Sequence, residues 1–420
     1  MPKSLSHLLL IVCLMLEHTN GIAQPKNDAF LRDLLLANPS PVLQRVLAQP
    51  DTFQYQVIYT QIDRNKKGVP SFKSYYLNVD RNRYFNPAST VKLPTALAAL
   101  EKLNKLKIKE LDKSTSMLTD SSFPGQSAVL TDPSAKSGLP SIAHYIKKIF
   151  LVSDNDAYNR LYEFVGQEEL NTMLWKKGYS DARITRRFVR MTPEENRHTN
   201  GIRFMQGGKL VYHQPPATSA VKFDFSRQIL VGRAHYDRDE RLVNAPMDFT
   251  AHNNLPLEDL ELMLRSVIFP ESVPLSRRFD LSAADYRFLH HYMAALPKQS
   301  DFPKYDTKEF FDSYTKFFFK AGKGSVPADI YIFNKPGWSY GFLTDCAYVA
   351  DAKNKFEFLL SAVIYVNEDG ILNDDKYEYE QVGYPFFRQL FETIYQHELE
   401  RPRKFAPQWP KDFIPGSSNP

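Results

Sequence analysis

Period-two alternation marks both ends of this chain, and helical periodicity fills its middle. "FQYQVIYTQI" (53–62) and "SFKSYYLNV" (71–79) read as strands separated by the turn-prone "DRNKKGVP". The last part is strand-like again, in "ADIYIFNKPG", "YGFLTDCAYVAD" and "KFEFLLSAVIYVNED", between residues 328 and 369. Between these ends lie a helix-rich region from Ile142 to about Lys177 and the periodic stretches 255–269 and 282–296. One or two short helices, interrupted at Asn38-Pro39, precede the first strand, and the helix "YPFFRQLFETIYQHEL" (384–399) follows the last. The order implies an α/β (α+β) chain with one sheet assembled from both chain ends and a helical lobe inserted between them. Residues 197–250 change character and read as an insertion, a hairpin around Gly207-Gly208 followed by loop, and 403–420 read as a Pro-rich tail.

The first residues carry a separate message. Lys3, an apolar run from Leu8 to Leu16, and Gly21-Ile22-Ala23 describe a secretory signal peptide over 1–23, cleaved near Ala23. The run is too short to remain as a bilayer-spanning helix, so the expectation is an exported protein, periplasmic or secreted, with no stable membrane insertion. Cleavage leaves one cysteine, Cys346, and therefore no internal disulfide. A hydrophobic share of 43% supports a large folded unit over 24–402. The net charge of +5 is mild for 420 residues, and no basic stretch is interleaved with aromatics as in a nucleic-acid groove. No H-E-x-x-H or phosphate-loop pattern survives inspection: "AGKGSVP" has Lys-Gly-Ser where Gly-Lys-Ser/Thr is required. Neither a metal nor a cofactor is expected, and the chain is expected to be monomeric.

Three short stretches carry chemistry. Ser89 and Lys92 sit three apart in "FNPASTVKLPTALAALEKL", at the opening of an apolar helix. Ser153-Asp154-Asn155 opens the helix "DAYNRLYEFVG", and Lys335-Pro336-Gly337 stands at the start of a strand. Each has a bland reading: an N-cap and a surface lysine, a second cap, a turn. A second S-x-x-K, Ser313 to Lys316, shows how common the first pattern is, and it reads as ordinary surface. Three triplets in this order, each in suitable local structure, outweigh the bland readings. Together they resemble the S-x-x-K, S-D-N and K-x-G set of class A β-lactamases and penicillin-binding proteins. The resemblance covers most of residues 50–400 apart from the 197–250 insertion, with "GYSDARITRRFVRMTPEEN" similar to the approach to the family's Ω loop.

The resemblance implies a β-lactamase/transpeptidase-like fold and a serine hydrolase acylated on Ser89 by a β-lactam or a cell-wall peptide. A serine hydroxyl needs a base to remove its proton. Lys92 lies on the same helix face and serves if burial and a second cation, Lys335, lower its pKa. Ser153 would relay a proton to the leaving nitrogen, and Asn155, Lys335 and Gly337 would bind substrate. The backbone N–H of Trp338 would join that of Ser89 as oxyanion donors. Two positions depart from the family. Thr192 stands where class A enzymes carry the glutamate that activates the deacylating water, leaving Glu194 or Glu195 as possible deacylation bases or as solvent-facing charge. Pro336 replaces a hydroxyl residue that helps bind the substrate carboxylate. The expected activity is thus that of an exported β-lactamase-like hydrolase. The alternatives are a penicillin-binding or D-Ala-D-Ala peptidase-like protein with slow deacylation, and an envelope binding protein without turnover.

Overall fold

The computed structural model describes residues 24–410 and 413. The expected signal peptide, 1–23, lies outside the described residues. Helices α1 (Ala29–Leu36) and α2 (Pro41–Ala48) are divided at Asn38-Pro39, where Ser40 caps α2 and Pro41 opens it. Strands β1 (Gln56–Arg64) and β2 (Pro70–Leu77) form the first hairpin. A 3-10 turn over Ala88–Val91 leads into α3 (Lys92–Leu106). Then come the short strand β3 (Ser116–Thr119) and three helices, α4 (Ile142–Val152), α5 (Asn155–Val165) and α6 (Gln167–Lys176).

The hairpin expected around Gly207-Gly208 is formed by β4 (Ile202–Gln206) and β5 (Lys209–Gln214), and β4 also pairs with β3. The remainder of 197–250, read as loop, is instead a ladder of strands two or three residues long. Leu230–Val231 pairs with Met247–Asp248, and Ala234–Tyr236 pairs with Leu242–Val243 and with Ile371–Leu372. Strands this short lack the alternation that makes a strand visible in sequence. Helices α7 (Leu257–Ile268) and α8 (Ala283–Ala294) complete the lobe. The chain then returns to the sheet with β6 (Ile330–Asn334), β7 (Gly337–Ser339), β8 (Phe342–Asp351) and β9 (Phe356–Tyr365), and closes with α9 (Tyr384–Glu400).

The sheet runs β6-β8-β9-β1-β2 with β7 beside β8, and every pairing is antiparallel. It is assembled from both chain ends, as the sequence implied. Strands β8 and β9 are buried at all ten positions each, which requires cover on both faces. Leu31, Leu43, Phe387 and Leu390, from α1, α2 and α9, pack on one face with Tyr59, Ala347 and Leu360. Leu97 of α3, Leu161 of α5 and Met263 of α7 pack with Cys346 and Leu359 on the other. Residues from the Pro-rich tail also dock: Trp409 Nε1 donates to Tyr348 Oη at 2.8 Å, and the Phe413 ring lies 4.9 Å from that of Phe333. Among the described residues no helix is long and apolar enough to cross a membrane.

Candidate active site

A cleft of about 1650 Å³ opens where the lobe meets the sheet edge, and Ser89, Ser153, Asn155 and Trp338 all line it. Residues far apart in sequence therefore converge because α3, the α4–α5 junction and β7 end at one place. Ser89 lies in the 3-10 turn, and α3 begins at Lys92 rather than at Ser89. Two local features tighten this turn. Asn86 Oδ1 accepts from the Ala88 N–H at 3.0 Å, holding Ala88 at φ 43°, and the Thr90 N–H closes a three-residue ring on Pro87 O. A non-glycine residue in the left-handed region costs roughly 1–2 kcal/mol. It persists here because the cap and the packing over-determine it.

Lys92 is wholly buried at the first position of α3. Its Nζ donates to Ser153 O and, at 2.6 Å, to Asn155 Oδ1, and lies 3.3 Å from Ser153 Oγ. The Phe188 ring covers it, with its centroid 5.1 Å away. Loss of hydration lowers its pKa to about 7, with the Asp154 carboxylate opposing. Ser153 ends α4 in a left-handed conformation, φ 60°, which turns its Oγ toward both lysines. Lys335 Nζ donates to that Oγ at 2.9 Å and to Pro336 O at 2.8 Å. Burial, then the neighbouring Lys92, push the Lys335 pKa well down. Two amines thus share one hydroxyl in a dry site, which disfavours charge on both at once.

Asp154 and Asn155 follow from α5, whose first turn Asp154 caps through the Ala157 N–H at 2.7 Å. Gly337 is forced by proximity. A Cβ there would stand 2.7 Å from Pro87 O, 2.9 Å from Ser89 N and 3.0 Å from Thr90 N, so β7 runs backbone to backbone against the serine turn. Trp338 is held by the Tyr314 ring, edge-on at 6.0 Å, and by Lys320, whose Nζ lies 4.6 Å from its centroid.

Three expectations need correction. Lys335, expected to meet a substrate anion, is fully buried and is not part of the cleft wall, because its amine is taken by Ser153 and Pro336. Glu194 and Glu195 do not face the cleft. Thr192 and Glu195 form a capping box on the single helical turn Pro193–Arg197, and Glu194 pairs with Arg197 at 2.8 Å. Both glutamates line a smaller depression beside Phe123 and Pro124. Among the described residues the cleft wall carries two carboxylates, Asp154 and Asp248, and no glutamate. Finally, the second S-x-x-K is not surface. Ser313 and Lys316 are buried, and Lys316 Nζ donates to Met293 O, Ile332 O and Asn334 Oδ1 at 2.6–2.9 Å. Asn334 Nδ2 passes the contact to Asp345, whose carboxylate also accepts from the Phe317 N–H. A lysine and a carboxylate joined through one amide therefore sit immediately behind Lys335.

Sequence reasoning missed Phe188, and it missed Arg187. The wholly buried Arg187 guanidinium lies 3.3 Å from Glu163 and donates to His198 O, and its N–H is accepted by Asn196 Oδ1. These contacts fix the 185–198 segment so that Phe188 stacks on Tyr158 and covers Lys92.

Residues 39–209 match the model of the Beta-lactamase enzyme family, a span of less than half of the chain. Among curated proteins there is no match. Among solved structures, the chain is similar to PBP-A (14% identity, 89% of this chain and 100% of that one, TM-score 0.46). It is also similar to β-lactamases from Sphaerobacter thermophilus DSM 20745 (13%, 85% and 96%, TM-score 0.45) and from Streptomyces albus G (13%, 84% and 99%, TM-score 0.45). The matched span holds Ser89, Lys92 and Ser153-Asp154-Asn155, and over that span the chain is similar to the Beta-lactamase enzyme family.

Proposed function

We propose that this protein is an exported penicillin-binding or D-Ala-D-Ala peptidase-like enzyme, acylated on Ser89 by a β-lactam or a related amide and slow to release the acyl group. The observation that carries the reading is the pairing of Lys92 with Phe188. A buried amine with a pKa of about 7 is fit to take a proton, and an aromatic ring rather than a carboxylate covers it. In acylation, Lys92 takes the Ser89 proton, and the Ser89 Oγ–carbonyl carbon bond forms as the carbonyl becomes an oxyanion. The backbone N–H groups of Ser89 and Trp338 serve that oxyanion. The carbon–nitrogen bond then breaks, and the leaving nitrogen takes the Ser153 proton, which Lys92 restores across the 3.3 Å contact. Ser89 Oγ makes no hydrogen bond to Lys92 in this structure, so the first step requires a side-chain rotation, as in many substrate-free sites. Asn155 holds the substrate amide. The ester persists because Thr192, Glu194 and Glu195 are turned to helix capping and surface pairing.

The test is a time course of intact mass for the mature protein with benzylpenicillin, alongside Ser89→Ala. A persistent adduct of one acyl group on the wild type, absent from the variant, is the expected result. A transient adduct with the drug consumed would favour β-lactamase turnover instead. No adduct would remove the acylation reading and leave a binding role.

Lys92 must be neutral to accept the proton, so it is protonated and inactive below its pKa and active above it. The acylation rate is expected to rise about tenfold per pH unit below about 7 and to level off above it. A rate that stays flat between pH 5.5 and 9 excludes Lys92 as the base.

A further inference from the structure

The two carboxylates on the cleft wall are already engaged. Asp154 caps α5, and Asp248 accepts from the Thr250 N–H at 2.7 Å. Of the five lysine and arginine side chains on the wall, Arg197 pairs with Glu194 and the other four do not pair. Arg186, Arg190, Lys222 and Arg238 line the same cleft, and none has a carboxylate partner within ion-pair distance among the described residues.

Arg186 is the best constructed of these. Its Tyr158-bound carbonyl (2.8 Å) and its N–H on Asn253 Oδ1 (3.3 Å) fix its backbone, and its guanidinium donates to His252 Nε2 at 3.1 Å. Burial, then Arg186 itself, lower the His252 pKa to about 4, so the imidazole is neutral and orients the guanidinium without cancelling its charge. The group is half-buried, pre-positioned and without an ion-pair partner among the described residues, which is the condition under which an anion binds with little ordering cost. Phe223 and Phe225 of the 197–250 segment stand on the same cleft wall as Lys222, and Arg183 stacks on Phe225 at 5.0 Å. At about 1650 Å³ the cleft exceeds the usual small-ligand range of roughly 300–1,000 Å³.

We infer that this wall is a subsite for an acidic substrate. The amide acylating Ser89 belongs to a peptide-like chain that bears carboxylates, which Arg186 and then Lys222 receive, while apolar parts rest on Phe223 and Phe225. The inference deepens the proposed function by naming the class of acyl donor. Its binding half stands independently of Ser89 chemistry.

The experiment therefore uses Ser89→Ala and measures binding by calorimetry at low salt. The probes are N-acetyl tripeptide amides carrying two glutamates, two glutamines or two lysines. The diglutamyl probe is expected to bind at least tenfold more tightly than the diglutaminyl one and to lose that margin in 0.5 M salt. In Ser89→Ala/Arg186→Gln, and separately in Ser89→Ala/Lys222→Gln, the glutamate-to-glutamine ratio is expected to fall severalfold. Equal affinities, no binding by any probe, or a ratio unmoved in both double variants would overturn the subsite. Wild-type acylation by benzylpenicillin, run in parallel, reports on the Ser89 chemistry alone. Adduct formation without an acidic preference would sink this inference only, and acidic preference without an adduct would sink only the acylation.

Discussion

Gly337→Ala is expected to slow acylation of Ser89 by about 10²–10³-fold, the usual consequence of losing an oxyanion donor. The new methyl would meet Pro87 O, Ser89 N and Thr90 N at 2.7–3.0 Å, and all three are backbone atoms that cannot rotate away. Either β7 retreats with Trp338 or the serine turn moves, and both changes separate the two N–H groups that the reaction needs together. Stopped-flow or mass-resolved acylation rates read the effect, and calorimetry confirms that the variant remains folded. A rate within threefold of wild type would mean that Trp338 and Ser89 do not act as a pair.

Lys316→Met is expected to cost about 3–5 kcal/mol of stability, the range seen when one partner of a buried charge pair is removed. The side-chain volume is nearly kept. However, Met293 O, Ile332 O and Asn334 Oδ1 lose their donor, and Asp345 loses the charge that balances it at zero exposure. Burial already pushes the Asp345 carboxyl upward, and without Lys316 it is expected to take up a proton in the folded state. Adding Asp345→Asn should recover part of the loss, because the isolated carboxylate is then gone. Urea unfolding of the single and double variants checks both statements. A single-variant loss below 1 kcal/mol would show that the pair is not a buried charge pair.

The sheet and the Ser89, Ser153 and Gly337 positions were legible because each rests on a local pattern. Alternation marked the strands, and short motifs marked the turns that end at the cleft. Lys316 was misread because S-x-x-K is silent about burial, although "TKFFFK" places two lysines around three phenylalanines, an environment that water does not reach. The fate of Glu195 was also written locally. Thr192 and Glu195 have capping-box spacing, which commits the carboxylate to its own helix. By contrast, Phe188 over Lys92 and Arg186 beside His252 depend on contacts between segments separated by 66 residues or more, which no local pattern encodes.

The pairing of β1 with β9 has a kinetic consequence. Gln56 lies opposite Val363, so forming this contact closes a loop of some three hundred residues, an entropic cost of about 5 kcal/mol. Such long-range pairing slows folding, and an isolated β1–β2 hairpin is marginal in water. A growing chain therefore carries Ser89 and Lys92 long before it owns the strand that faces them. The Ser89 turn stays without its partner wall until residues beyond 337 arrive, so the candidate site is assembled only by the final fold.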